Sequence, residues 1–220
     1  MNRPSLYSRI LENRLLPLHN AIRGRQYVRH RRFLEESQWW SADRLREFQW
    51  TELRKLLTLA FTSVPFYKRR YAEAGAALED IRSWDDFAKL PVLVRADVER
   101  HREELSAENL ASPRLPHATG GSSGRPVRFY KTIESYDWRT AATQRVYSWT
   151  GCRPGERTLY LWGAPVGKQH PLAVWKTRLY NAVHRTLIVP TFLQDDQIWR
   201  QAWEKAQSFQ PRFMVGSVSS

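Results

Sequence analysis

Cysteine and acidic residues are scarce in this chain of 220 residues. Cys152 is the only cysteine, so an intrachain disulfide is excluded and the cytosol is the expected compartment. No apolar run approaches the roughly 18 residues of a membrane-spanning helix, and the amino terminus lacks the apolar core of a signal peptide. With 42% hydrophobic and 13% aromatic residues, the chain can still bury a core as one or two domains.

The shortage of acidic residues leaves a net charge of +13, from 35 lysines and arginines against 22 aspartates and glutamates. Five arginines form a dense run between positions 23 and 32, and others are scattered to the end of the chain. No zinc-finger spacing or RNA-binding motif accompanies this charge, so nucleic acid is a disfavoured partner. A solvated basic face is the first interpretation. Nucleotide or CoA phosphates and anionic membrane headgroups are the partners that the charge leaves open.

Patterns that mark a metal site or a hydrolase are also missing. His117 and His170 lie far apart, with no cysteine or carboxylate at ligand spacing, so no metal site is predicted. The segment 121–124 is not the G-x-S-x-G elbow of hydrolases. Cys152 stands in a Gly-Cys-Arg-Pro-Gly turn without a nearby histidine, and is interpreted as structural. No catalytic residue is assigned.

Hydrophobic periodicity predicts that the chain begins with helices. Residues 1–40 form a basic amphipathic segment that Pro17 breaks or kinks, and one of its faces carries Leu11, Leu15, Leu18 and Ile22. This segment either packs on its own domain or a partner surface, or lies on an anionic membrane. Residues 41–110 form a helical layer, which includes a long helix capped by Ser41 and an exposed, charged helix over 94–105.

Residues 111–220 have the alternating pattern of an α/β subdomain. A β-hairpin comes first, between about 115 and 131, and a series of helices and strands follows: helix 132–150, strand 158–162, helix 171–184, strand 186–189, helix 195–207 and strand 212–215. This alternation predicts a mostly parallel sheet. The predicted fold class is therefore α/β, with a helical amino-terminal layer, a β-hairpin and a mostly parallel sheet with alternating helices.

The hairpin encloses a loop over 118–126, with the sequence Ala-Thr-Gly-Gly-Ser-Ser-Gly-Arg-Pro. Its glycines let the backbone approach a ligand closely, and successive backbone N–H groups can form a concave anion site. The loop joins strand to strand, which excludes a Walker A loop and a dinucleotide fingerprint, because both open a helix. A flexible surface linker is the alternative interpretation.

Thr119 to Pro126 resembles the phosphate-binding loop of the adenylate-forming enzymes, the superfamily of acyl-CoA synthetases. Four flanking motifs are similar to the phenylacetate–CoA ligase family: Val64-Pro65-Phe66-Tyr67, Ala74-Gly75, Asp80-Ile81 and Asp86-Phe87-Ala88-Lys89-Leu90-Pro91. Two later motifs resemble its capsular-polysaccharide, CapK-like branch: Tyr147-Ser148-Trp149-Thr150-Gly151 and Leu161-Trp162-Gly163. The resemblance runs from about Trp50 to the carboxyl terminus.

The resemblance implies the fold of the first half of an adenylate-forming large domain, with 111–220 as an incomplete subdomain. It also implies that ATP and a small carboxylic acid give an acyl-adenylate, with Mg²⁺ as cofactor and CoA as an acyl acceptor. The residues that would face the phosphates are Thr119, Gly120, Gly121, Ser122, Ser123, Gly124 and Arg125. Many family loops have lysine at the position of Arg125, so a planar guanidinium here replaces a point charge.

The family's magnesium, ribose and adenylation residues have no counterparts in this sequence. The resemblance therefore implies an amino-terminal portion of an AMP-forming acid–CoA ligase-like enzyme, inactive alone, with a complementary carboxyl-terminal half as partner. Aromatic acid or polysaccharide metabolism is the implied setting. The expected location is the cytoplasm, with the inner face of the membrane as a second location. The alternative function is a basic, non-catalytic module that binds nucleic acid or an anionic membrane.

Overall fold

The computed structural model describes residues 3–109, 113–119, 126–162, 170–191 and 196–216. Ten α-helices and five strands lie within these ranges, in the order α1 Leu6–Ile10, α2 Leu16–Arg23, α3 Tyr27–Ser37, α4 Ala42–Ser63, α5 Pro65–Glu73, α6 Trp84–Ala88, α7 Arg95–Arg100, β1 Leu115–Ala118, β2 Arg128–Lys131, α8 Ile133–Trp149, β3 Thr158–Trp162, α9 Pro171–His184, β4 Thr186–Pro190, α10 Asp196–Phe209 and β5 Phe213–Gly216. A π-helical turn, Leu11–Leu15, joins α1 to α2, and a short 3₁₀ turn lies at Leu78–Asp80.

The chain divides into two compact units. One unit combines residues 1–31 with residues 140–220, and the other consists of residues 32–139. The first unit therefore joins the two ends of the chain, whereas the second is continuous in sequence. The predicted segments 1–40, 41–110 and 111–220 describe sequence patterns and stay a prediction.

The first unit contains a parallel sheet in the order β4-β3-β5. Thr158 of β3 is level with Thr186 of β4 and Phe213 of β5. One face of the sheet packs on α10, in a core formed by Leu159, Leu161, Leu187, Val189, Ala202 and Ala206. The small alanines of α10 allow the helix to approach the branched side chains of the sheet closely. The predicted α/β fold with a parallel sheet is confirmed.

The amino-terminal helices belong to the same unit as this sheet. Leu11, Leu16 and Tyr27 form a small buried cluster within the unit. Pro17 was predicted to break or kink this run, but the helical run continues through it, because α2 begins directly after the π turn and Pro17 lies in its first turn. A proline in a regular helix clashes with the carbonyl four residues earlier, and the wider π turn relieves that clash.

The core of the second unit lies between α4, α5 and the turns that follow them. Leu57, Tyr71, Ile81 and Leu90 are its buried members. Ser41 caps α4 as predicted, since its side-chain oxygen accepts a hydrogen bond from the Arg44 amide at 3.3 Å. The predicted helix over 94–105 is shorter in the structure, because α7 ends at Arg100 and turns follow.

The hairpin also lies in the second unit. β1 and β2 pair antiparallel, with Leu115 opposite Lys131 and Ala118 opposite Arg128. β2 contacts the α7 region. This packing brings the hairpin beside the charged turns that follow α7, and these turns form the surroundings of the candidate site.

Candidate functional site

The base of the predicted phosphate loop is closed by hydrogen bonds between Thr119 and Val127. The Thr119 amide donates to the Val127 carbonyl at 3.0 Å, and the Val127 amide donates to Thr119 Oγ1 at 3.0 Å. Of the seven predicted phosphate-contacting residues, Thr119 is therefore placed, at the end of β1. Gly120, Gly121, Ser122, Ser123, Gly124 and Arg125 lie outside the described residues. The closure holds the two ends of the loop together in the register of a hairpin.

A cleft of about 530 Å³ lies beside the loop base, lined by three arginines and three glutamates. It is called the basic cleft below, because its glutamates are all paired with cations. Its walls come from the end of α7 and the following turns, together with the last residue of the loop and the start of β2: Glu99, Arg100, His101, Arg102, Glu103, Glu104, Pro126 and Arg128. Of these residues, only Pro126 belongs to the predicted loop of residues 118–126. The position of Arg128, two residues after Pro126, was the available signal in the sequence. The contribution of α7 depends on tertiary packing.

The acidic side chains of this cleft are engaged in ion pairs. Glu103 accepts from Tyr130 at 2.8 Å and from Arg102 at 3.0 Å, and these hydrogen bonds lower the pKa of its carboxyl group, with the Tyr130 contribution the largest. Glu104 pairs with His101 at 3.0 Å and with Arg69 at 2.6 Å, which lowers its pKa as well. These carboxylates therefore remain ionised and compensated.

Two arginines of the cleft, Arg100 and Arg128, differ from the paired glutamates. Within the described part of the chain, no carboxylate lies within ion-pair distance of Arg100 or Arg128. Both residues are exposed. A guanidinium presents several N–H donors in one plane, and two of them can donate hydrogen bonds to two oxygens of the same phosphate. The cleft next to the loop can therefore accept an anion with several oxygen atoms.

The hairpin carries a further cation, Lys131, at the end of β2 that lies away from the loop, opposite Leu115. Lys131 lies 5.3 Å from the centre of the Phe129 ring, and His117 packs edge-on against the same ring at 5.2 Å. Burial, followed by the neighbouring Lys131 and Arg139, lowers the pKa of His117. His117 is therefore neutral at physiological pH, and the charge on this part of the hairpin comes from Lys131.

A second cavity, of about 260 Å³, lies in the first unit near the amino ends of β3 and β4. Three tyrosines, Tyr147, Tyr160 and Tyr180, line it together with Cys152 and His184. Burial raises the pKa of Cys152 and of Tyr160, so both stay protonated at neutral pH. The cavity is therefore rich in aromatic side chains, and Arg153 and Glu156 also line it. Cys152 Sγ lies 3.5 Å from Thr158 Oγ1 and is buried, in keeping with a structural thiol.

Within the described ranges, no group of three or more histidine, cysteine, aspartate or glutamate side chains has an arrangement that could hold a metal ion. None of the described helices is both long enough and apolar enough to cross a membrane. The basic cleft at the loop base therefore remains the main candidate for a ligand site.

Comparison with known proteins gives two kinds of similarity. Phenylacetate-coenzyme A ligase of Pseudomonas putida is 30% identical over 128 residues, which cover 56% of this chain and 28% of that protein. The enzyme of the same name from Aromatoleum evansii is 27% identical over 128 residues, with the same coverage. The matches thus span little more than a quarter of these curated relatives. No protein-family model matches the chain.

The structural similarity is to a CoA ligase crystallised with bound small molecules. A structure of 2-hydroxyisobutyryl-CoA ligase in complex with 2-HIB-AMP and CoA superposes with a TM-score of 0.58 and 20% identity, over 79% of this chain and 37% of that one. At this identity the likeness concerns the fold. The chain therefore has the fold of part of an acyl-CoA ligase, and its sequence is similar to phenylacetate–CoA ligases. The sequence similarity supports a relationship to the adenylate-forming superfamily.

Proposed function

We propose that this chain supplies the phosphate-binding loop and an adjoining basic cleft of an AMP-forming acid–CoA ligase-like enzyme. The observation that carries the proposal is the position of the closed loop base, Thr119 and Val127, beside the uncompensated Arg100 and Arg128. The substrates are ATP and a small carboxylic acid, and the acyl acceptor is CoA. The sequence similarity to phenylacetate–CoA ligases supports this reaction class.

The proposed reaction places the greatest electrostatic demand on the loop. The acid carboxylate attacks the α-phosphorus of ATP, the bond to the β-phosphate oxygen breaks, and pyrophosphate leaves with its electron pair. Pyrophosphate carries several negative charges, and fixed donors aimed at it stabilise the transition state more than the ground state. Residues 119–125 supply hydroxyl and backbone N–H donors, and Arg128 supplies a guanidinium at the rim of the same cleft.

The cleft residues fit the phosphates better than they fit Mg²⁺. The cation-binding groups would be carboxylates, and Glu103 and Glu104 are already paired with arginine or histidine. A magnesium ion prefers oxygen ligands that are free to coordinate it. The residues of the described cleft are therefore assigned to phosphate binding and not to Mg²⁺.

The finer assignment within the superfamily is a CapK-like role in polysaccharide or aromatic acid metabolism. It is supported by the sequence of residues 147–151 and 161–163, which resembles that branch. Tyr147 lines the aromatic cavity of the first unit, so part of this motif has a defined place in the fold. Assay of a panel of aromatic and aliphatic acids for CoA-ester formation would separate the phenylacetate-like activity from the CapK-like one.

The proposal is tested by titrating the chain with pyrophosphate and with ATP by calorimetry. Arg128→Gln should weaken pyrophosphate binding about ten-fold or more, because a charged hydrogen bond to phosphate contributes roughly 1.5–3 kcal/mol. Arg46→Gln removes the same charge from an exposed position on α4, outside the cleft, and is the matched control. Equal affinity of the two variants would contradict the assignment, because it would indicate general attraction to a basic protein.

A further inference from the structure

The amino-terminal helices expose an apolar stripe that the proposed ligase function does not use. Its members, called the outer stripe below, are Leu6, Ile10, Leu15, Leu18 and Ile22. Each is between 45% and 75% exposed, although all five are large and aliphatic. The same helices bury Leu11 and Leu16 against their own unit. The inner face of these helices therefore packs in the core of the unit, whereas the outer stripe is exposed and does not contribute to that core.

The π turn aligns the outer stripe. In an uninterrupted α-helix, successive residues rotate by about 100°, which would place Leu15 roughly opposite Leu6. A π turn rotates the chain less per residue. The turn Leu11–Leu15 therefore changes the direction in which the side chains of α2 point around the helix axis. With that shift, the five side chains fall within an arc of about 90° along one side of the helical run. The run is about 27 Å long, from 18 residues at about 1.5 Å each.

The polar residues around the outer stripe carry a single sign of charge. Residues 3–31 contain seven arginines and one acidic residue, Glu12. The Glu12 carboxylate is buried at 7% exposure and accepts hydrogen bonds from Arg31 and from Arg153. Arg9, Arg14 and Arg23, in contrast, are exposed on the helices that carry the stripe. The solvent-facing side of this segment is therefore apolar and cationic.

Helix α9 extends the same surface chemistry. Residues 170–191 contain no acidic side chain. Trp175 and Leu179 are 59% and 50% exposed on α9, next to the basic Lys176 and Arg178 in sequence. The two helical regions touch, since the Tyr7 hydroxyl donates to the Val183 carbonyl at 2.7 Å. Tryptophan is enriched where proteins meet the headgroup layer of a membrane.

We infer that the outer stripe is a docking surface for an anionic lipid bilayer. Amphipathic helices with aliphatic side chains on one face and arginine beside them lie in the plane of a membrane interface. Their apolar groups enter the headgroup boundary, and their cations interact with acidic lipids. Charge complementarity selects this occupant, because the exposed groups around the stripe are arginines and an anionic bilayer offers both an apolar layer and negative charge.

The helices are already folded against the sheet unit, which lowers the cost of docking. Ser8 Oγ donates to the Pro154 carbonyl at 2.9 Å, and the Ser5 amide donates to the buried Glu156 carboxylate at 2.6 Å. A segment that is ordered before it binds does not lose conformational entropy on the membrane. These contacts also fix the orientation in which the sheet unit approaches the bilayer.

The test is co-sedimentation of the full chain with sucrose-loaded vesicles of phosphatidylglycerol and phosphatidylcholine in equal parts. The wild-type chain should bind these vesicles, and its affinity for vesicles of phosphatidylcholine alone should be lower by about ten-fold or more. The double variant Leu18→Glu/Ile22→Glu should lose about ten-fold or more of its affinity for the acidic vesicles. Arg14→Gln/Arg23→Gln should weaken binding and make it less sensitive to salt.

The matched control is Leu56→Glu/Leu59→Glu, which alters two exposed leucines on α4 in the other unit. It should bind acidic vesicles as wild type does, with circular dichroism confirming that all variants are folded. The inference is overturned if the control and the stripe variant bind equally. It is also overturned if the stripe variant instead abolishes self-association in sedimentation velocity or binding to duplex DNA while vesicle binding is unchanged.

Discussion

The buried carboxylate of Glu12 provides the sharpest stability prediction. Its side chain is 7% exposed and lies between Arg31, whose side chain is 10% exposed, and Arg153, whose Nη1 is 2.9 Å from Oε1. Glu12→Gln keeps the shape of the side chain but removes the negative charge beside two guanidinium groups. Breaking a buried ion pair from one side costs about 3–5 kcal/mol, because the opposite charge stays buried. Since glutamine retains one hydrogen-bond acceptor, we expect about 3 kcal/mol.

The assay is urea unfolding followed by circular dichroism, with Glu52→Gln as control. Glu52 pairs with Lys55 at 2.6 Å, but its side chain is 46% exposed, and surface pairs of this kind contribute at most about 1 kcal/mol. The double variant Glu12→Gln/Arg31→Met should recover part of the loss, because it removes the buried cation as well. If Glu12→Gln and Glu52→Gln lowered the free energy of unfolding equally, the buried pair would have no special role and this reasoning would be refuted.

Three further outcomes are expected. Thr119→Val should lower the free energy of unfolding by only about 1 kcal/mol in a thermal melt, but weaken pyrophosphate binding in calorimetry, because it removes the acceptor that closes the loop. Burial and the nearby His19 lower the pKa of His184 to about 4; the unfolded chain binds the proton more readily, so the free energy of unfolding should fall as the pH decreases from about 6.5 to about 4, and His184→Gln should reduce that slope. Gly155→Ala should lower the melting temperature, because φ is 85° there and a Cβ atom would lie 2.9 Å from Leu11 Cδ2.

The strands and their connecting helices were accessible from the sequence. Strands over 158–162 and 186–189 were predicted from local sequence, and β3 and β4 form at these positions. The helix of residues 171–184 is likewise confirmed. Turn residues also mark the ends of helices. Gly151, for example, follows α8 and has a φ of 84°, a conformation that favours glycine and stops a helix. These features depend on neighbours in sequence, and a pattern of residues is sufficient to predict them.

The sequence did not predict which charged side chains are buried or which partners they have. The basic run at 23–32 was interpreted first as a solvated face, but Arg31 is buried against Glu12. Its carboxylate partner is 19 positions away, and Arg153 approaches from the other end of the chain. The cleft beside the loop likewise combines α7 with β2. Such pairings depend on tertiary packing, which overrides local pattern.

The phosphate-binding assignment of residues 119–125 stays a prediction from the sequence. The structure places Thr119 and the β-strands on both sides, while 120–125 lie outside the described residues. The antiparallel pairing of β1 and β2 confirms the prediction that the loop joins two strands. What the loop binds is a separate matter from this topology, because a linker could join the same strands.

The central claim is that this loop binds phosphate, and pyrophosphate titration of loop variants tests it most directly. Ser122→Ala/Ser123→Ala removes two hydroxyl donors and leaves the glycine backbone intact. It should weaken pyrophosphate binding about ten-fold or more, since a hydrogen bond to a charged group contributes roughly 1.5–3 kcal/mol. Ser135→Ala, an exposed serine of α8, should bind as wild type does. If the loop variant also bound pyrophosphate with wild-type affinity, residues 119–126 would be a linker and the proposed function would be contradicted.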